Sequence, residues 1–251
     1  MPVKRVEIKP MFNNTLLALT LSAVAGSVAA APVANLKING DIKPPTCTVN
    51  GGDQADLIYN LGAVSPSVIP QSAGYNGLPS VANTLTVDCD AATYLTFKAT
   101  DNYQNPFVQA PGMNNNFKVH AFSLVDVNAP EKTVGGITYK WRNVSADGVT
   151  AYLSRANDGP NDNGTSIASE QMVKNATNGW TKTQQKFVSP SALDLISGKE
   201  FSAELYNETS ISYGWSHTYL LSKDELAKQN VDISEGVDYT GNVLLTFNFG
   251  V

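Results

Sequence analysis

Residues 241–251 read Gly-Asn-Val-Leu-Leu-Thr-Phe-Asn-Phe-Gly-Val. On an extended backbone successive side chains point to opposite faces. Val243, Leu245, Phe247 and Phe249 therefore share one side, and Leu244, Thr246 and Asn248 share the other. One side is wholly apolar and the other mostly polar, which is the signal of a half-buried strand. Chain ends are often frayed, whereas this one is expected to be a core-forming strand. At the edge of an open sheet its free backbone groups would pair with another chain. Inside a closed sandwich it would be an ordinary last strand.

The rest of the chain repeats the same theme in short pieces. Leu36, Ile38, Gly40 and Ile42 alternate with Lys37, Asn39, Asp41 and Lys43, a strand pattern that Pro44-Pro45 interrupts. Cys47-Thr48-Val49 resumes an extended run, and Asn50-Gly51-Gly52-Asp53 is a turn. Leu57-Ile58-Tyr59 with Leu61 predicts another strand, and residues 65–80 read as loop. Residues 84–88 lead into Cys89, and residues 94–100 form a strong β run on propensity. Further strands are predicted over 117–127 (Val119, Ala121 and Leu124 inward), 136–141, 149–153, 180–187, 201–205, 211–215, 218–221 and 242–249. Residues 155–166, rich in Asn, Asp and Gly, predict a surface loop. Short helices are expected over 191–196 and 222–229, the second opened by Ser222-Lys223-Asp224-Glu225 in the manner of a capping box. Many short strands, Gly/Pro/Asn turns and little helix indicate an all-β antiparallel sandwich.

The first thirty residues are expected not to belong to that fold. Lys4, Arg5 and Lys9 precede a short apolar run at 16–24, followed by the small residues Ser27-Val28-Ala29-Ala30-Ala31. That is the layout of a secretory signal peptide, cleaved after Ala30, with Met1 or Met11 as start. No later stretch is apolar and long enough for a transmembrane helix. Removing residues 1–30 takes away Lys4, Arg5, Lys9 and Glu7, so the net charge of −5 becomes −7. That acidity argues against nucleic acid or anionic lipid as a main partner. The remaining chain, about 220 residues, can bury a sizeable core. An exported chain with two cysteines, Cys47 and Cys89, most simply carries one disulfide, the alternative being two free thiols.

A search for catalytic chemistry returns little. The two histidines, His120 and His217, read as structural. No Gly-x-Ser-x-Gly elbow, His-Glu-x-x-His pair, phosphate loop or dinucleotide fingerprint occurs. No cofactor or metal is expected. Residues 158–164 look faintly like a calcium loop, but Pro160 occupies the third ligand position. Trp141, Trp180, Trp215, Tyr213 and Tyr219 would form a sugar-stacking surface if exposed; in a sandwich such aromatics are more often core. The Asn-x-Ser/Thr sequons at Asn143, Asn163, Asn175 and Asn207 matter only in a glycosylating host.

The ordered set of features has a likeness. Leu36-Lys37-Ile38-Asn39-Gly40-Asp41-Ile42-Lys43-Pro44 leads to Cys47; Cys89 follows Leu85-Thr86-Val87-Asp88; the last strand alternates up to Phe249. In these features the chain resembles subunits of bacterial fimbriae assembled by the chaperone–usher route. More narrowly, it is similar to the enterobacterial fimbrial-like family usually filed as a domain of unknown function. The likeness lies in residues 31–100 and 236–251. It implies an immunoglobulin-like sandwich over 43–251 that lacks its final strand, with a hydrophobic groove beside Val243, Leu245, Phe247 and Phe249. It implies an N-terminal extension, 31–42, that donates a strand through Val33, Leu36 and Ile38. The implied partners are a periplasmic chaperone, an outer-membrane usher and neighbouring fimbrial subunits, with a host glycan or surface receptor for a tip subunit. The implied location is the cell-surface fimbrium, and the implied role is structural rather than enzymatic. Phe249 is third from last where pilins place an aromatic next to last, and Asp238 stands where their terminal motif has Gly. The extension is short and interrupted by Pro32, and the chain is long for a major pilin; a minor, tip or fimbria-like subunit fits better. The reading from another class is a secreted, self-complete sandwich that binds carbohydrate.

Overall fold

The computed structural model describes residues 36–103, 107–160, 167–211 and 217–250. The chain divides into two units, Met1–Ile42 and Lys43–Val251. Of the first, residues 36–42 are described; they contain no helix or strand, and Leu36, Ile38 and Ile42 are fully exposed. The strand predicted there is therefore not formed. Alternation only prepares a segment for a sheet; without a partner strand the backbone groups have nothing to pair with.

The second unit is all-β. Its strands are β1 (Cys47–Val49), β2 (Ala82–Asp101), β3 (Phe122–Asp126), β4 (Thr133–Ile137), β5 (Tyr139–Ala146), β6 (Val149–Thr150) and β7 (Tyr152–Ala156). They continue with β8 (Thr177–Thr181), β9 (Lys186–Val188), β10 (Ser197–Asn207), β11 (Tyr219–Leu220), β12 (Tyr239–Thr240) and β13 (Val243–Phe249). One short helix, α1 (Lys223–Lys228), lies between β11 and β12. The larger sheet runs β6-β5-β10-β2-β8-β7-β9, with β1 and β13 also paired to β2; the smaller runs β11-β4-β3-β12. Side chains of both sheets meet in one core, among them Phe97, Trp180 and Phe201 from the larger and Phe122, Leu124 and Ile137 from the smaller. This is a sandwich-like arrangement of two sheets.

β2 organises the larger sheet. Sequence reading separates 84–88 from 94–100, yet they form one strand that changes partners midway. Its first half pairs β1 (Cys47↔Cys89, Val49↔Val87) and β10 (Phe201↔Val87, Leu205↔Asn83). Its second half pairs β13 (Val243↔Asp101 to Phe249↔Leu95) and β8. The β10 register shifts between Gly198 and Glu200, where its pairing steps from Thr93 to Asp88 of β2, an irregularity of the β-bulge kind. The Cys47–Cys89 disulfide closes across β1 and β2 at a directly opposed pair.

Several local expectations change for identifiable reasons. Residues 57–61 form no strand, although Leu61 is buried and Tyr59 half-buried. The run predicted over 117–127 begins as a 3-10 turn (Asn115–Val119), because Asn114 caps it by accepting from Asn116 N, and becomes strand at Phe122. Arg155, read as the start of a surface loop, is fully buried in β7. The helix expected over 191–196 is a single 3-10 turn, Pro190–Ala192. α1 starts where the capping pattern placed it: Ser222 Oγ accepts from Glu225 N at 3.2 Å. In β4, Gly135 is required by close approach, since a Cβ there would strike the Tyr219 carbonyl of β11. Of the strand predicted over 211–215, residues 212–215 lie outside the described residues.

Candidate strand-accepting groove

β13 has one strand neighbour, β2, among the described residues. That side is closed along its whole length. Asn102 N donates to Asn242 O at 3.0 Å at one end, and Gly250 N donates to Tyr94 O at 2.8 Å at the other. Thr96 Oγ1 also donates to Gly250 O at 2.6 Å. No described strand occupies the opposite edge, which leaves one row of backbone groups of this seven-residue strand unpaired by any described strand.

Beside that edge lies a groove of about 1360 Å³. Its floor is apolar: Leu85, Leu124, Ile137, Leu205 and Leu220 come from both sheets. Val243, Leu245 and Phe247 line it from β13, half-buried in alternation with the exposed Leu244 and Thr246. Phe247 also reaches the core, with its ring centroid 5.8 Å from that of Phe97. Phe97 stands 5.8 Å from Trp180, and Trp180 stands 5.5 Å from Phe201. An aromatic row thus runs from the groove into the packed interior.

The flanking segment, residues 53–64, is held without becoming a strand. Tyr59 Oη donates to Leu205 O at 3.0 Å, and Asn83 Nδ2 donates to Ile58 O at 3.0 Å. The Tyr59 ring packs edge-on against Tyr139, centroids 5.0 Å apart. Burial pushes the Tyr59 hydroxyl up to about 12, so it remains a donor throughout the ordinary pH range. Tyr239 Oη donates to Gly62 O at 3.4 Å, tying β12 to the same segment. Leu226 of α1 and Ile233 and Val237 behind it complete the lining.

The structure thus brings together Val243, Leu245 and Phe247 but not Phe249. Phe249 is 48% exposed and does not line the groove. It falls at the end of the β2 pairing, opposite Leu95, beyond the groove's reach. Leu36 and Ile38 are exposed, and Val33 lies outside the described residues. Sequence reading missed Tyr59, Leu61, Tyr139 and Leu205 as groove residues. The alternation of Leu57, Tyr59 and Leu61 carried the signal for the flanking wall, but local pattern does not tell a wall from a paired strand.

Other polar groups named in the sequence have structural settings. His120 is buried, with Nδ1 3.0 Å from Gln171 Nε2, and burial together with the cation of Arg155 lowers it to about 3. His217 Nε2 lies 2.8 Å from Asn76 Oδ1. Asp158 accepts from Thr177 N and Oγ1, both at 2.8 Å, and pairs with Lys98 at 2.9 Å. Among the described residues no cluster of His, Cys, Asp or Glu forms a metal-binding group, and no helix is long and apolar enough to cross a membrane. Trp141, Trp180 and Tyr219 are core; Tyr213 and Trp215 lie outside the described residues. The sequon residue Asn207 is fully buried, its Nδ2 donating to Pro79 O at 3.0 Å; Asn163 lies outside the described residues.

Comparison with known proteins finds no family model that matches the chain and no curated protein that matches it.

Proposed function

We propose that this protein is a non-enzymatic subunit of a surface fimbria, a strand acceptor with an unfinished immunoglobulin-like sandwich. One observation carries the reading: an edge of β13 that no described strand pairs stands beside an apolar groove lined by Val243, Leu245 and Phe247. An added strand there gains main-chain hydrogen bonds from the edge and places alternate side chains in the groove. In this reading the chain is exported, a periplasmic chaperone supplies the strand first, and a neighbouring subunit supplies it after passage through an outer-membrane usher. The sequence resemblance supplies those partners; the groove supplies the physical need for them.

Thermal unfolding of the purified protein with an uncharged eight-residue peptide of alternating valine and threonine tests the acceptor function. A ligand that binds only the folded state at a hundredfold excess over its Kd stabilises by about 2.7 kcal/mol, which raises Tm by about 5–10 °C for a domain of this size. The Phe247→Asp variant, with a charge in the groove, should lose that rise. A wild-type Tm indifferent to the peptide at every concentration would overturn the reading.

A further inference from the structure

We propose that Asn50 is a latent deamidation site, held closed by β2, and that its conversion to aspartate or isoaspartate irreversibly frees the far end of β1. The proposal is independent of the strand-acceptor reading.

The chemistry begins with the sequence. An asparagine followed by glycine is open to attack from its own backbone, because the glycine nitrogen has no side chain beside it to block the approach. The nitrogen bonds to the asparagine Cγ, the side-chain amide leaves as ammonia, and a cyclic imide results. Water then opens the imide at either carbonyl. One water enters, one ammonia departs, and nothing is oxidised or reduced. The chain carries this pair at 50–51, 76–77, 163–164 and 178–179. The fold separates two of them clearly. Asn178 is fully buried, with Nδ2 donating to Ala176 O at 2.9 Å. Asn50 and Gly51 are exposed.

Exposed as it is, Asn50 is held from several directions. It forms a tight turn with Gly51, closed by Val49 N donating to Gly52 O at 2.7 Å and Gly52 N donating to Val49 O at 3.0 Å. The φ values, 47° at Asn50 and 81° at Gly51, are the left-handed pair that a type I′ hairpin turn demands. The β1–β2 register ends at Val49↔Val87, and there the chain turns away. Asn50 N still donates to Thr86 O at 2.8 Å. The acceptor for Thr86 N is Asn50 Oδ1 at 2.7 Å, in the role that a main-chain carbonyl fills in a regular ladder. Asn50 Nδ2 donates to Thr84 O at 3.0 Å. The side-chain amide therefore extends the ladder past the end of its strand.

Ring closure swings Cγ onto the Gly51 nitrogen, which breaks both side-chain bonds first. The closed turn suspends the reaction, and local opening admits it. The product cannot close the turn again as before. An ionised aspartate has no hydrogen to donate, so an oxygen faces the Thr84 carbonyl where a donor stood. Isoaspartate also lengthens the main chain by a methylene. The Cys47–Cys89 bridge still holds the strand upstream, so the loss is confined to the turn and the adjoining end of β1.

The test ages the full native chain in mildly alkaline buffer and maps conversion at each site by peptide mass spectrometry. A free peptide of residues 48–54 and the urea-unfolded chain serve as comparators. Asn50 should convert in the native chain at least about tenfold more slowly than in the peptide, the factor set by an opening free energy of about 1.4 kcal/mol. Unfolding in urea should abolish that difference, and Asn178 should lag behind Asn50 in the native chain. The Asn50→Asp variant then reads the consequence. Its Val49, Gly52 and Thr86 amides should exchange hydrogen about tenfold faster than in the wild type, while the Phe201 amide of β10 keeps its protection. Should that variant not fold, the deamidated fraction of aged wild type gives the same readout. A native rate equal to that of the peptide would overturn the hold by β2. No conversion at Asn50 long after the peptide has reacted fully, or conversion of Asn178 first, would overturn the site. Unchanged exchange in the variant would overturn the release of β1.

Discussion

β10 and β13 are two antiparallel neighbours of the same strand, and they end up in opposite conditions. β10 has β2 on one side and β5 on the other, and its inward residues Phe201, Ala203 and Leu205 are buried to within 2%. Among the described strands β13 has β2 alone, and its inward residues Val243, Leu245 and Phe247 are only half-buried, although their alternation is at least as regular. Burial here follows from the number of neighbours and not from the strand's own sequence. A regular apolar strand left half-covered keeps unused surface, and unused surface together with an unpaired edge is what a partner strand recognises.

The widest separation between the two strands should come from truncation. Phe201→Ala should cost about 3–5 kcal/mol, the range for removing a buried aromatic. Phe247→Ala, already half-exposed, should cost about 1–2 kcal/mol. Urea unfolding of both variants measures the difference, and equal losses would break the comparison. Next in size is the Cys47–Cys89 bridge, which closes a loop of 42 residues and contributes about 4 kcal/mol in the chain-entropy account. Cys47→Ser should lower the denaturant midpoint accordingly and leave peptide capture at β13 in place. Loss of capture in a still-folded variant would show that the two halves of β2 are not independent.

A smaller effect is expected from pH. His120 is buried against Gln171, and burial, then the cation of Arg155, hold it to about 3, far below an unfolded histidine. The unfolded chain therefore binds the extra proton first. Stability contributed by the neutral ring is complete above about pH 6.5 and declines by about 1.4 kcal/mol per pH unit as pH falls toward 3. His120→Gln should flatten that slope in melting curves taken between pH 7.5 and 4.5. Smallest is the α1 cap: Ser222→Ala should cost about 1 kcal/mol. Because Leu226 of α1 lines the groove, the same change should weaken strand capture measurably, whereas it should leave protection of β10 amides from hydrogen exchange unchanged.

The sequence conveyed the parts of this fold that are local. The alternation of β13, the opposed cysteines and the Ser222 cap each depend on a few adjacent residues or on one simple chemical fact. Features decided at a distance were not legible. Residues 36–42 alternate as well as β13 does, yet form no strand, because pairing needs a partner that pattern cannot supply. Residues 57–61 have strand composition but serve as a wall, held by Tyr59 and Asn83 instead of a ladder. Arg155 looked like the start of a polar loop and is buried in β7, because its surroundings are set by β8 and β9 across the chain. The groove was legible only from its β13 side; its opposite wall and floor are assembled from segments more than a hundred residues apart.

The disulfide has a mechanical consequence. If the domain is pulled between the segment ahead of Cys47 and β13, the force enters just before Cys47 and leaves through β13. Between them the load passes through the Cys47–Cys89 bond into β2 and on to the β2–β13 ladder, whose bonds are loaded in shear, many at once. The segment between the two cysteines stays off the load path, so tension cannot pay it out as slack, and each subunit should lengthen little until the ladder itself gives way.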